Sequence, residues 1–336
     1  MKASMIVLLT LVLVGGAVAA LNRNAQPADD RSEAAAARRE RGRYLVEGPA
    51  HCFMCHSELD PSRPGLPPKP GGEGAGQNPF PEESFPWLVA PNISPDPETG
   101  SGKWTDELFR RALRQGIGAD GRTLFPMMPY RQFHDMSDED VESVIAYIRS
   151  IPPVRRVVPL TRLPDPVKQA LRPLPSPGTV PAPDRSAPVK YGEYLTKIGN
   201  CTGCHTPVDP HGAPIPGMDW AGGLNLVGFW GSVHSVNLTP DPSGIPYYTE
   251  DHFLKVIHTG NPGGRPLNPI MPWGYFRKMT DEDLKAIFAY LKTLKPVSHR
   301  VDNTSPKTFC RVCGGAHGLG EMNRPGPETS RPESTR

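Results

Sequence analysis

Two five-residue runs carry chemistry in this chain: Cys52-Phe53-Met54-Cys55-His56 and Cys201-Thr202-Gly203-Cys204-His205. Each reads Cys-x-x-Cys-His, the pattern of covalent c-type haem attachment. Two thiols three residues apart on one turn can each form a thioether to a haem vinyl group. The adjacent histidine then projects toward the iron as its proximal ligand. The expected cofactors are therefore two covalent haems c. Cys52, Cys55, Cys201 and Cys204 would attach them, with His56 and His205 as axial ligands.

One axial position on each iron remains. Met128 and Met271 occupy matching places, each followed by proline and an aromatic residue. A thioether is a soft ligand that favours the reduced iron and raises its potential. Pro129 and Pro272 are expected to hold the Met segment extended, presenting sulfur to the metal. Core filling is the usual use of methionine, but the repeated position argues for ligation. Met127 competes in the first run, yet Ile270 stands opposite it and cannot ligate. His51, His134, His211, His234, His252 and His258 have no matched histidine in the other half and are expected to be surface or supporting residues. Tyr130 and Trp273 could pack or hydrogen-bond at a haem edge. Asn92 and Asn237 open Asn-x-Ser/Thr-Pro-Asp turns, which either aim donors toward a haem propionate or simply turn the chain.

A third pair, Cys310 and Cys313, is followed by Gly314 rather than histidine. A third haem would lack its proximal ligand. A disulfide or two idle thiols is the expectation in an oxidising compartment; a small metal site using His317 would have only three local ligands. A zinc reading of the first two pairs fails on spacing, because they lie about a domain apart and each has its own histidine.

The elements that position these residues come in two copies. Arg43-Tyr44-Leu45 before the first motif corresponds to Glu193-Tyr194-Leu195 before the second. Asn92-Ile93-Ser94-Pro95-Asp96 corresponds to Asn237-Leu238-Thr239-Pro240-Asp241, and Met128-Pro129-Tyr130 to Met271-Pro272-Trp273. Met136-Ser137-Asp138-Glu139-Asp140 corresponds to Met279-Thr280-Asp281-Glu282-Asp283. The order never changes, which marks a tandem duplication. Each copy predicts three helices. One leads into and ends in the Cys-x-x-Cys-His run. A second starts at an N-cap, Thr105 or Thr249, and stops at Gly116 or Gly260. A third starts at Ser137 or Thr280 with acidic residues in its first turn.

The expected fold is mostly α: two loop-rich domains, each wrapped around one haem. Boundaries fall at 1–20 for a leader or anchor, 21–39 for an extension, 40–153 for domain 1, and 154–188 for a Pro-rich linker. Domain 2 takes 189–302 and a polar, mobile tail 303–336. The insert 60–86 reads as a surface loop that could fold against the first haem.

Length and composition agree. The chain has 336 residues, enough for about two domains. Its 42 prolines and 34 glycines suit a loop-rich protein. A formal charge of +2 is too weak to imply nucleic acid. Lys2, the apolar stretch Met5 to Val14 and Ala17-Val18-Ala19 form an export leader with a small-residue cleavage site. The expected location is the periplasm or beyond; left uncleaved, this segment would tether the chain to the inner membrane.

These residues resemble the class I c-type cytochromes, in tandem di-haem form. The resemblance covers about residues 40–153 and 189–297. The haem motifs, the Asn-x-Thr-Pro-Asp turn, the Trp-Thr-Asp-Glu helix start and the Met-Pro-Tyr/Trp element are most similar to the cytochrome c subunits of bacterial membrane-bound alcohol and gluconate dehydrogenases. That likeness implies single-electron relay from a dehydrogenase toward a quinone-linked complex or terminal oxidase, with no chemistry on substrate. The competing expectation is a di-haem enzyme, peroxidase-like or thiosulfate-oxidising, with one displaceable axial ligand.

Overall fold

The computed structural model describes residues 28–77, 85, 87–228, 231–263, 266–303 and 308–317. The expected leader and most of the expected tail lie outside the described residues. Among the described residues no helix is long and apolar enough to cross a membrane.

The first copy runs α1 (Ala28–Glu47), α2 (Cys52–His56), α3 (Asp106–Gln115), α4 (Tyr130–Phe133) and α5 (Asp138–Ile148). The short α6 (Asp165–Ala170) lies between the copies. The second copy runs α7 (Pro188–Ile198), α8 (Cys201–His205), the hairpin β1 (Asn225–Gly228) and β2 (Gly231–His234), α9 (Glu250–Thr259), α10 (Trp273–Phe276) and α11 (Asp281–Leu291). A last hairpin pairs β3 (Thr308–Phe309) with β4 (Ala316–His317). The molecule is mostly α, as expected.

The caps fall where the side chains require them. Thr105 accepts from the Leu108 amide and Thr249 from the His252 amide, and Gly116 and Gly260 close these helices at φ 69° and 67°. Ser137 and Thr280 each accept an amide three residues on, and three acidic residues fill the first turn of α5 and of α11. Carboxylates there face the positive end of the helix dipole.

One expectation needs correction. The helix before each motif does not run into it. α1 ends at Glu47 and α7 at Ile198, and His51 (φ 36°) and Asn200 (φ 51°) take left-handed backbone before the motif helices start afresh. α1 also begins at Ala28, inside the expected extension. The Pro-rich linker 154–188 is hydrogen-bonded to the first domain. Arg162 N donates to Trp87 O, Thr161 Oγ1 to Val89 O, and Leu174 N to Gln115 O. Asp138 N donates to Val180 O. Proline cannot donate, but its neighbours can, and they tie this strap along the first domain.

Inside each copy the first and last long helices cross at a glycine. A Cβ on Gly42 would lie 1.9 Å from Ser143 O, and one on Gly192 would lie 1.9 Å from Ala286 O. Only a bare backbone fits such a crossing.

The two copies join reciprocally. Tyr44 of the first donates to Asp283 Oδ2 of the second at 2.6 Å. Tyr194 of the second donates to Asp140 Oδ2 of the first at 2.6 Å. Each hydroxyl also accepts from the facing helix start: Thr280 N to Tyr44 at 3.4 Å, Ser137 N to Tyr194 at 3.1 Å. Arg41 closes on Asp140 at 2.8 Å. Ile198 and Tyr275 of the second copy belong to the hydrophobic core of the first.

Candidate functional site

Among the described residues each copy holds a large apolar cavity. The first, about 360 Å³, is lined by Cys52, Cys55, His56, Asn92, Phe109, Leu113, Met127 and Met128 among others. The second, about 480 Å³, is lined by Cys201, Cys204, His205, Asn237, Ile270 and Met271 among others. Both volumes sit within the range of roughly 300–1,000 Å³ found for cofactor sites.

The motif helices aim their residues inward. The left-handed residue before each one turns the chain sharply, so that both cysteines and the histidine reach the same cavity. His56 Nδ1 lies 2.8 Å from Pro91 O, and His205 Nδ1 lies 2.8 Å from Val236 O. A ring that donates there keeps its Nε2 lone pair for a metal, the usual arrangement of a ligating histidine. Burial lowers both histidine pKa values, which favours the neutral, ligating form. Burial likewise pushes the thiol of Cys52 up to about 12, of Cys55 to about 11, of Cys201 to about 12 and of Cys204 to about 11. Such a pocket suits uncharged sulfur, and a thioether is uncharged.

In each copy the Met-Pro-aromatic segment is not extended, as the sequence suggested, but tightly turned. Tyr130 N donates to Met128 O at 2.7 Å and Trp273 N to Met271 O at 2.7 Å. Pro129 sits at φ −79°, ψ 48° and Pro272 at φ −75°, ψ 43°. This is an inverse γ-turn, for which the fixed proline φ is well suited. Met128 and Met271 both line their cavities; so does Met127, while Ile270 holds its place in the second copy.

The other expected pocket residues divide. Asn92 and Asn237 reach the cavity walls, but their amides are consumed. Asn92 donates to Val154 O at 2.8 Å and accepts from Ser94 N; Asn237 donates to Val297 O at 2.8 Å and accepts from Thr239 N. They fasten the turn to the segment leaving the last helix. Tyr130 and Trp273 do not line the cavities. The γ-turn throws their rings under the helix-closing glycines, where a Cβ on Gly116 would lie 2.6 Å from the Tyr130 ring and one on Gly260 2.5 Å from the Trp273 ring. Of the unmatched histidines, His51 and His234 line a cavity each. His134 is held by Arg114 O, and His258 by Arg277 O and Asp281.

Nothing in the residue pattern anticipated how near the cavities lie to each other. Pro49 of the first copy lines the cavity of the second, and a neighbouring Cys204 adds to the upward shift at Cys55. His51 packs edge-on to Phe276 with ring centroids 5.4 Å apart. The insert 60–86 contributes as well: Gly76 N donates to His56 O, and Tyr275 OH reaches Leu66 O across the domain boundary.

Fold and cavities together define a helical, two-domain protein built to hold one haem per domain, and the residues present fit that group. The chain belongs to the cytochrome c family, whose model matches residues 40–152 and again 189–295. It carries two covalently bound haems c, one per domain.

Among similar proteins, a nicotinate dehydrogenase subunit of Pseudomonas putida is 31% identical over 275 residues, 77% of this chain and 22% of that protein. The cytochrome c subunit of a quinone-dependent alcohol dehydrogenase from Gluconacetobacter polyoxogenes is 33% identical, over 62% of this chain and 48% of its own. A diheme cytochrome c-type protein of Cereibacter sphaeroides is 28% identical, over 73% of this chain and 82% of its own. The chain thus spans about half or less of the first two relatives.

Proposed function

We propose that this chain relays single electrons between exported redox partners, and that it is itself an electron-transfer subunit rather than a catalyst. The observation that carries this reading is the pair of equivalent cavities, each lined by a Cys-x-x-Cys-His run and by a methionine at the matched position. Haem c supplies a one-electron iron couple.

The residues of the chain do the rest. Cys52, Cys55, Cys201 and Cys204 would attach the groups. His56 and His205 are the proximal ligands in this reading, each oriented by a backbone carbonyl. Met128 and Met271, which line the same cavities on a γ-turn, would supply the second ligand to each group. A soft sulfur ligand there would raise the potential and would fill the position that a substrate needs. The apolar walls exclude water, so little solvent rearranges when charge moves. Short separation between the cavities favours passage from one to the other within the molecule.

A dehydrogenase is the proposed donor, by analogy with the dehydrogenase subunits to which the chain is similar; a quinone-linked complex or an oxidase is the proposed acceptor. The leader at residues 1–20 and the haem motifs support export to the periplasm, with membrane association through that segment if it stays uncleaved.

Stopped-flow reduction of the exported protein by a candidate dehydrogenase with its substrate tests the relay. The expected result is haem reduction that depends on both enzyme and substrate. Turnover of peroxide or a sulfur substrate by the chain alone would contradict it.

A further inference from the structure

We propose that the third cysteine pair and a histidine of the second domain form a zinc-class metal site that staples the C-terminal hairpin to that domain. His299, Cys310 and Cys313 present ligand atoms that all lie within 4.8 Å of one another. Cys310 Sγ is 3.5 Å from His299 Nε2. The histidine is not the nearby His317 that the sequence offered but one that precedes the hairpin and is 1% exposed.

Three features make this a built site. His299 Nδ1 lies 2.8 Å from Ala221 O, so the ring nitrogen that faces the sulfur is Nε2. That is the carbonyl-to-histidine-to-metal arrangement already described for His56 and His205. The two cysteines sit in a knuckle: Gly314 N donates to Cys310 O at 3.0 Å, Cys310 N donates to Gly315 O at 2.7 Å, and Gly314 takes φ 72°. A Cys-x-x-Cys knuckle of this kind turns both sulfurs toward one point. Position is the third feature. The His299 carbonyl accepts from Asn237, and the Asn303 side chain brackets His234 through its amide and carbonyl, so the strap carrying His299 is already fixed beside the second cavity. The corresponding strap in the first copy has Arg156 receiving the Asn92 bond, and that arginine pairs with Glu58 instead.

Two thiolates and one imidazole match Zn²⁺, which takes mixed sulfur and nitrogen ligands in tetrahedral array. Binding would release the two thiol protons. A water completes the fourth position unless another ligand arrives. The site lies outside both haem cavities, so it stands or falls apart from the electron-transfer reading.

Metal analysis with thiol counting on the exported holoprotein tests it. The four haem-attaching cysteines are thioethers and silent, which isolates Cys310 and Cys313. We expect about one zinc per chain and two thiols that react with a disulfide reagent only after chelation. Two variants, His299→Ala and Cys313→Ser, should each lower zinc affinity at least tenfold, with the Soret spectrum and both haems retained. Thiols that appear only after reductant mean a disulfide and overturn the proposal. Two thiols reactive without chelation, in protein lacking zinc, overturn it equally. Should His299→Ala lose its haem as well, Cys313→Ser, which alters only the partly exposed hairpin, decides.

Discussion

A histidine that keeps its Nδ1 on a carbonyl has one useful nitrogen left, and both motif histidines are arranged that way. His205→Ala should therefore abolish normal ligation at the second haem while its thioethers hold the group in place. A low-spin to high-spin change in the absorption spectrum checks this. Met271→His should keep the haem attached and low-spin but lower its potential, within the roughly 0.8 V range that axial ligands span. An unchanged potentiometric titration would remove Met271 as a ligand. Repeating the change at Met127 and Met128 separately distinguishes the two methionines of the first cavity. Only Met128 should shift the potential. The turn aspartates supply a pH handle. Hydrogen bonds from Thr99 to Asp96, and from Ser243 to Asp241, hold both carboxyls below the ordinary range. A depressed folded pKa stabilises above the unfolded value, about 3.8, and the benefit is lost as pH falls through the folded value. Acid unfolding should accordingly set in below about pH 4 and move upward in Asp241→Asn, where the carboxylate contribution is gone; far-UV circular dichroism against pH reads it.

Helix crossings at Gly42 and Gly192 leave no room for a methyl group, because the obstacle is backbone. Gly42→Ala or Gly192→Ala should each destabilise by more than about 3 kcal/mol, the range of severe core overpacking. Thermal melts of each variant, with Ala on an exposed helix face as control, measure it. A cost under about 1 kcal/mol would mean the helices do not cross there. At this scale the sequence was most readable where one side chain decides. Thr105, Thr249, Ser137 and Thr280 sit at the helix starts they announce, and Gly116 and Gly260 at the ends. It was least readable where backbone conformation decides. Asn and His tolerate left-handed backbone better than most residues, but at His51 and Asn200 that tolerance is too weak a signal to announce a break before the motif. Likewise Met-Pro read as extended, because the hydrogen bond that curls it into a γ-turn belongs to the next residue. The docking of the Pro-rich linker was illegible for a related reason. Its composition describes stiffness, whereas its docking depends on partners such as Trp87, Val89 and Gln115, far away in sequence.

The duplication shows most clearly in how the halves meet. Tyr44 and Tyr194 exchange positions across the joint, each ending on the other copy's helix-start aspartate. Burial first, then the facing carboxylate, raises both phenol pKa values, so both stay donors. Tyr194→Phe should cost roughly 1–3 kcal/mol, as for a hydrogen bond to a charged group. Tyr44→Phe should match it, and the pair should loosen the joint more than either alone. Slower, still first-order electron exchange between the haems would accompany that loosening, since Pro49 and Cys55 of one copy lie beside the cavity and motif of the other. The sequence made the two copies plain. Their mutual packing was invisible there, because Tyr44 and Asp283 carry no mark of being partners. The central claim is that each copy holds one haem through two cysteines, a histidine and a methionine. It is tested most directly by a redox titration with haem count on the chain exported from a host able to mature such groups. The account predicts two haems per chain that survive denaturation, two one-electron waves, and a methionine-to-iron charge-transfer band from both. A colourless product, haem released by acid acetone, or a band from only one haem would contradict it.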